Sequence, residues 1–218
     1  DLPHMAPSVK TFSACLGAMG ISDSHQVVVY DGAGLFSAAR VWWLFKLMGL
    51  DSVSVLDGGL PKWRAEGRKT DNGIIQPERC HIIKCNQRPM MKDATQVAEA
   101  SKSNDHEIID ARAPGRFSGI DPEPRKGLRS GHIPGSKNLF FKTLLHDDHT
   151  MKSSDELCAT FLAAGVDISK PVITSCGSGI TAAILNLALA QTGKRDHFLY
   201  DGSWAEWGMS HSLPVETG

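Results

Sequence analysis

The chain has 218 residues, 41% hydrophobic and 22% charged, with a formal net charge of −1. This is the composition of a globular protein with room for one large domain or two ordinary ones, and no lysine or arginine run supplies the basic footprint of a nucleic-acid binder. No apolar stretch reaches the roughly 20 residues of a membrane span, and no charged start with an apolar run behind it marks a signal peptide.

Taken in chain order, "VVVYDGAGLFSAARVWWLFKLMG" (27–49) reads as a β-branched strand, a glycine-rich turn and an apolar helix. Gly49 is placed to close that helix in the left-handed conformation. "SVSVLDGGLPKW" (52–63) adds a second strand and an Asp-Gly turn, and residues 72–93 form a connection with prolines at both ends and a strand-like middle. Cys80 and Cys85 lie in that middle, five positions apart, which puts them on opposite faces of an extended segment, so no joint role is expected. The second half reads as a helix ("ATQVAEASK"), a strand ("EIIDAR"), a polar loop from Ala113 to Gly131, the turn "GHIPGSKN" and a helix opening at "SSDEL". Ser153 or Ser154 can cap that helix, with acids favoured in its first turn. The strand "PVITS", a loop starting at Cys176, a helix closed by Gly193 and the segment "DHFLYDGSWAEW" complete the series.

Residues 27–49 match 171–193 in pattern, and 52–63 match 196–207. Asp57 lies 26 residues after Asp31 and Asp201 lies 25 after Cys176; Trp63 and Trp207 follow at the same offset. Such a repeat predicts an α/β protein of two similar domains, each a parallel sheet with helices on both faces. Residues 1–76 form the first, 77–92 a linker and 93–218 the second. Only 26 residues precede the first copy's strand, against about 80 in the second domain. The first domain is therefore expected to be N-terminally incomplete, either joined by a severed segment of the same protein or less stable than the second.

Cys176 stands where a strand ends and a helix begins, the place where ligands bind in open parallel sheets. Gly177 and Gly179 let the backbone curl, and the amides from Gly177 through Ile180 to Thr181 face the positive end of the next helix. Such a field favours a thiolate or an anion attached to it. In the first copy Asp31 takes the same place, which packing alone would not require. A phosphatase would need arginine where Ala182 stands, and a dithiol redox centre a second cysteine where Gly179 stands. A cysteine hydrolase stays open on the nine histidines, none of which sits in a recognisable signature. Five cysteines, odd in number and irregularly spaced, do not make a disulfide framework, and a reducing compartment, the cytoplasm, is expected.

"CGSGIT" with "SGHIPGSKN" upstream and "YDGSWAEW" downstream resembles the active domain of tandem-domain rhodaneses, and the loop is similar to that of 3-mercaptopyruvate sulfurtransferases. "VLDGGLPKW" and "AARVWW" match the family's inactive domain. The resemblance implies that Cys176 takes a sulfur atom from a small-molecule donor, holds it as a persulfide and passes it to a thiol acceptor such as thioredoxin, or to cyanide, without metal or cofactor. It places the substrate grip on Arg116 and Arg125, with Gly177, Gly179, Ile180 and Thr181 around the donor, and Ser178 beside the proton transfer. The family's relay partners for that serine, a histidine and an aspartate, are expected to precede residue 1. An uncharged loop suits mercaptopyruvate, whose single carboxylate is remote from its sulfur, better than the thiosulfate dianion. Thiosulfate transfer and a non-enzymatic sulfur carrier are the alternatives. Arg112 is expected in a structural ion pair and His132 in a turn.

Overall fold

In the computed structural model, which describes residues 2–73, 76–80 and 84–218, the first repeat pairs strands β1 (Val27–Val29) and β2 (Val53–Val55) in parallel, with Val27 opposite Val53. Helices α1 (Val9–Ala18), α2 (Ala38–Leu47) and α3 (Gly59–Ala65) accompany them. One face of the pair turns Val27, Val29 and Val55 to the core, while Val28 on the other is 55% exposed.

The second repeat completes a five-stranded parallel sheet from β3 (Met91–Lys92), β4 (Glu107–Asp110), β5 (Lys137–Asn138), β6 (Val172–Ser175) and β7 (His197–Tyr200), in the order β3-β7-β6-β4-β5. The period of two along each strand sorts its side chains between two cores. Ile108, Ile173 and Tyr200 pack against Val97 and Ala100 of α4 (Ala94–Ser103) and Trp204 and Trp207 of α8 (Ser203–Trp207). Ile109, Val172 and Leu199 join the core formed with Leu157 and Phe161 of α6 (Ser154–Ala163) and Leu185 and Leu189 of α7 (Ala182–Gln191). Helices on both faces are what the repeat predicts. That second core continues into Trp42, Trp43 and Phe45 of α2, so α2 and α7 pack together and join the two halves.

Local signals fix the helix starts. Ser153 caps α6 in a capping box with Glu156, and Asp93 does the same for α4 with Gln96. Gly49 and Gly193 hold φ of +81° and +85° beyond α2 and α7, the left-handed closure expected of them.

Three details depart from the sequence reading. Met91–Lys92, assigned to the linker, form the edge strand of the second sheet. Lys137–Asn138, read as part of a turn, form the opposite edge. The polar loop from Ala113 contains a short helix, α5 (Pro114–Ser118), with proline in its first turn. Two-residue strands have no periodicity to read; only their neighbours define them. Residues 81–83, in the strand-like middle of the connection, lie outside the described residues. Among those described, no helix is long and apolar enough to cross a membrane.

A buried polar network lies between β6, β7 and α7. The amide nitrogen of Asn186 donates to Thr174 Oγ1 and to the Ala182 carbonyl, so its oxygen is left to accept from His197 Nδ1 at 2.6 Å. Burial lowers His197 to about 4, opposed in part by Asp196. An unfolded imidazole titrates near 6.5, so between pH 6.5 and 4 the unfolded chain binds the extra proton and stability falls as pH falls. The full loss is about 3 kcal/mol, and urea unfolding at pH 5 should show about 2 kcal/mol of it relative to pH 7. His197→Gln is expected to flatten that slope; an unchanged slope would remove His197 as its source.

Candidate active site

β6 carries the chain to Ser175, and Cys176 follows with 2% of its surface exposed. A cavity of about 450 Å³ opens there, lined by Cys176, Gly177, Ser178, Ile180 and Thr181 on one side and Arg116 and Arg125 on the other. His4, Phe36, Phe140 and Phe141 close it. All the residues expected from the sequence therefore meet in one cavity, apart from Gly179. That glycine has φ +79° and turns away from the cavity; a Cβ there would meet Arg40 Nη1 at 3.1 Å and the Asp201 carbonyl at 3.3 Å. Its part is to bend the loop rather than to line the site.

The first repeat shows how such a loop receives an anion. Asp31 accepts hydrogen bonds from the amides of Ala33, Phe36, Ser37 and Ala38, each 2.8–2.9 Å long. Burial alone would raise its carboxyl, but the four amides outweigh that and hold it below the usual carboxylate range. Counting from each end of the loop, the equivalent amides in the second repeat belong to Ser178, Ile180, Thr181 and Ala182. None of them donates to another group among the described residues. Where the first loop is filled by its own carboxylate, the second leaves its amides for a charge carried on Cys176.

The arginines enter from the loop after β4. Arg112, as expected, is structural: it is buried, bonded to Asp110 and to Glu123 Oε1. Glu123 also accepts from Arg116, at 3.1 Å from Nε and 2.6 Å from Nη2. This buried carboxylate holds the Arg116 fork over the loop. A Cβ on Gly177 would stand 3.0 Å from Arg116 Nη2 and 3.8 Å from Arg125 Nη1, so the glycine leaves room for both. Arg129 faces away and donates to the carbonyls of Trp207 and Leu213. His132 stacks on Phe117 and bonds its carbonyl, the turn role expected of it.

Ser178 Oγ receives Arg125 Nη2 at 3.3 Å and lies 2.9 Å from His4 Nδ1. The arginine can only donate, so the hydroxyl hydrogen can point at the imidazole. The histidine partner expected ahead of residue 1 is thus within the chain, and that expectation is corrected. The signal that finds it is the repeat carried further back. His4, Ala6 and Ser8 stand 145 positions before His149, Met151 and Ser153. Both histidines have left-handed backbones, with φ of 61° and 66°, and both serines cap the next helix. The Ala6 amide bonds Asp201 Oδ2 and the Met151 amide bonds Asp57 Oδ1, each at 2.8 Å.

The sequence matches the rhodanese-like domain family over residues 4–66 and 93–210. The chain belongs to that family. It is 41% identical over 238 residues to thiosulfate/3-mercaptopyruvate sulfurtransferase 1, mitochondrial, of Arabidopsis thaliana, covering all of this chain and 63% of that protein. It is 43% identical over 216 residues to the thiosulfate sulfurtransferase of Bos taurus, covering 98% of this chain and 72% of the relative. Among solved structures it superposes on SseA of Escherichia coli, described as a 3-mercaptopyruvate sulfotransferase of rhodanese fold, with a TM-score of 0.83 at 38% identity over 93% of this chain and 76% of that one. The rhodanese relatives thus match across both repeats, while the chain spans less than two thirds of the Arabidopsis protein's length.

Proposed function

We propose that the chain is a sulfurtransferase that moves sulfur from 3-mercaptopyruvate to a thiol through a persulfide on Cys176. The observation that carries this reading is a lone cysteine at the end of a strand, with free loop amides on one side and two arginines above Gly177 on the other. In the first step the Cys176 thiolate attacks the substrate sulfur. An S–S bond forms, the C–S bond breaks, and its electron pair passes to the methylene carbon as pyruvate enolate. Arg116 and Arg125 hold the carboxylate and the ketone oxygen on which the charge gathers. The substrate thiol's proton, passed by Ser178 and His4, ends on the enolate carbon, leaving pyruvate and an anionic persulfide facing the loop amides. In the second step an acceptor thiolate attacks the outer sulfur, the S–S bond breaks and Cys176 leaves as thiolate.

Thiosulfate is the second reading, because relatives carry both names. The uncharged loop favours mercaptopyruvate: the cations stand across the cavity, where a remote carboxylate would lie, and not among the amides. All five cysteines are free, which fits a reducing compartment, whether cytoplasm or mitochondria, and a small thiol or thioredoxin as acceptor. The test is the ratio of kcat/KM for the two donors with a small thiol present. A ratio favouring thiosulfate would overturn the donor assignment, and a need for a protein partner in every turnover would make the chain a carrier.

A further inference from the structure

The two arms dock across the repeats by the same backbone contact, but only one of the two carboxylates that receive them is buried with an arginine. On the first repeat, the exposed Asp57 takes the Met151 amide, and the position of the repeat equivalent to Arg40 is Ile184. On the second, Asp201 takes the Ala6 amide and faces α2, where Arg40 stands. Arg40 Nη2 donates to Asp201 Oδ1 at 2.5 Å and to the His4 carbonyl at 2.7 Å, while Nη1 reaches the Gly179 carbonyl at 3.5 Å. Its guanidinium also lies 4.6 Å from the Trp43 ring centroid. Both members of the ion pair are almost fully buried, with side-chain exposures of 5% and 4%.

Holding an arm in place does not require this arrangement, because Asp57 takes the Met151 amide with no ion-pair partner among the described residues. A buried ion pair is also weak evidence for stability, since desolvation offsets much of its attraction. What the arginine adds is direction. It fixes the carbonyl of His4, whose left-handed backbone is costly for a residue with a Cβ, and the carbonyl at the bend of the Cys176 loop. One rigid planar fork thereby sets the histidine and the loop relative to each other, across the boundary between the repeats.

We propose that Arg40, with Asp201, is a positioning residue for sulfur transfer: it holds His4 Nδ1 at hydrogen-bonding distance from Ser178 and so acts on proton delivery rather than on substrate binding. This rests on the function proposed above. Arg40→Lys keeps a cation beside Asp201 but has a single nitrogen in place of the fork. With mercaptopyruvate it should lower kcat roughly tenfold or more and leave KM within about twofold, because the arginines that grip the substrate are untouched. The deciding measurement is a double-mutant cycle. In a His4→Gln background, Arg40→Lys should change kcat by less than about twofold, since the group it positions is gone. Full additivity of the two losses, or a rise in KM at unchanged kcat, would overturn the proposal.

Should Arg40→Lys not fold, Arg40→Met/Asp201→Asn removes both buried charges and keeps an oxygen for the Ala6 amide; the same cycle then applies. If the unsubstituted chain releases no pyruvate, the proposed function fails, and the inference about Arg40 is judged by NMR of the His4 ring. Loss of its hydrogen-bonded signal in the Arg40 variant supports positioning, and an unaltered signal overturns it.

Discussion

Cys176→Ser is expected to lower sulfur transfer by on the order of a thousandfold or more, and peptide mass analysis of the unsubstituted chain after exposure to donor should find one added sulfur, on Cys176. The serine keeps the volume and the hydrogen bond from the Cys176 amide to Ser203 Oγ, so the fold should survive. Accessibility alone would favour a different cysteine. Cys15 on α1 is exposed, and Cys80, Cys85 and Cys158 are half-buried, whereas Cys176 is buried. Among the described residues none of those four stands at the end of a strand, and burial raises the Cys85 thiol. Transfer, not general alkylation, is therefore the right readout. Sulfur found mainly on the other four, or a serine variant that still turns over, would sink the assignment.

Arg116→Ala and Arg125→Ala should each lower kcat/KM for mercaptopyruvate by roughly ten- to a hundredfold, the equivalent of about 1.5–3 kcal/mol for a hydrogen bond to a charged group. Their effects should differ in kind. Among the described residues the Arg116 side chain is bonded only to Glu123, which Arg112 still neutralises after the substitution, so the loss should fall mostly on KM. Arg125 also touches Ser178, so its loss should reach kcat as well. Arg129→Ala is the comparison: it removes donors to three carbonyls in and after α8 and should lower the melting temperature while leaving KM alone. Equal, small kinetic effects at all three positions would reduce the loop to a solvated surface.

How far the sequence could be read depended on how local each signal was. Cys176, its glycines and the helix behind it form one short stretch, and the Asp31 stretch repeats it, so both loops were visible. The strands β4, β6 and β7 could be read because two or three apolar or β-branched residues in a row within four carry a pattern, while β3 and β5, with two residues each, carry none. Arg116 and Arg125 came from resemblance; nothing in their spacing separates them from Arg129. His4 reaches Ser178 from 174 positions away and Arg40 reaches Asp201 from 161, and such contacts leave no trace in composition or period. The repeat would have supplied His4 had it been followed ahead of the strand.

The exchange of arms has a meaning in symmetry. Ala6 docks on Asp201 and Met151 on Asp57, so residue and target swap places between the halves, and the equivalent helices α2 and α7 face each other across the boundary. A contact in which each side offers the other the same patch is the signature of a twofold axis, as in an isologous homodimer. The chain is in effect such a dimer whose two subunits have become one polypeptide. Once they share a chain, the two copies are free to differ: Arg40 reaches the Cys176 loop at the Gly179 carbonyl, while the equivalent positions of the other copy hold Asp31 and Ile184. A true homodimer, bound to one sequence, would have to carry the same residues at both.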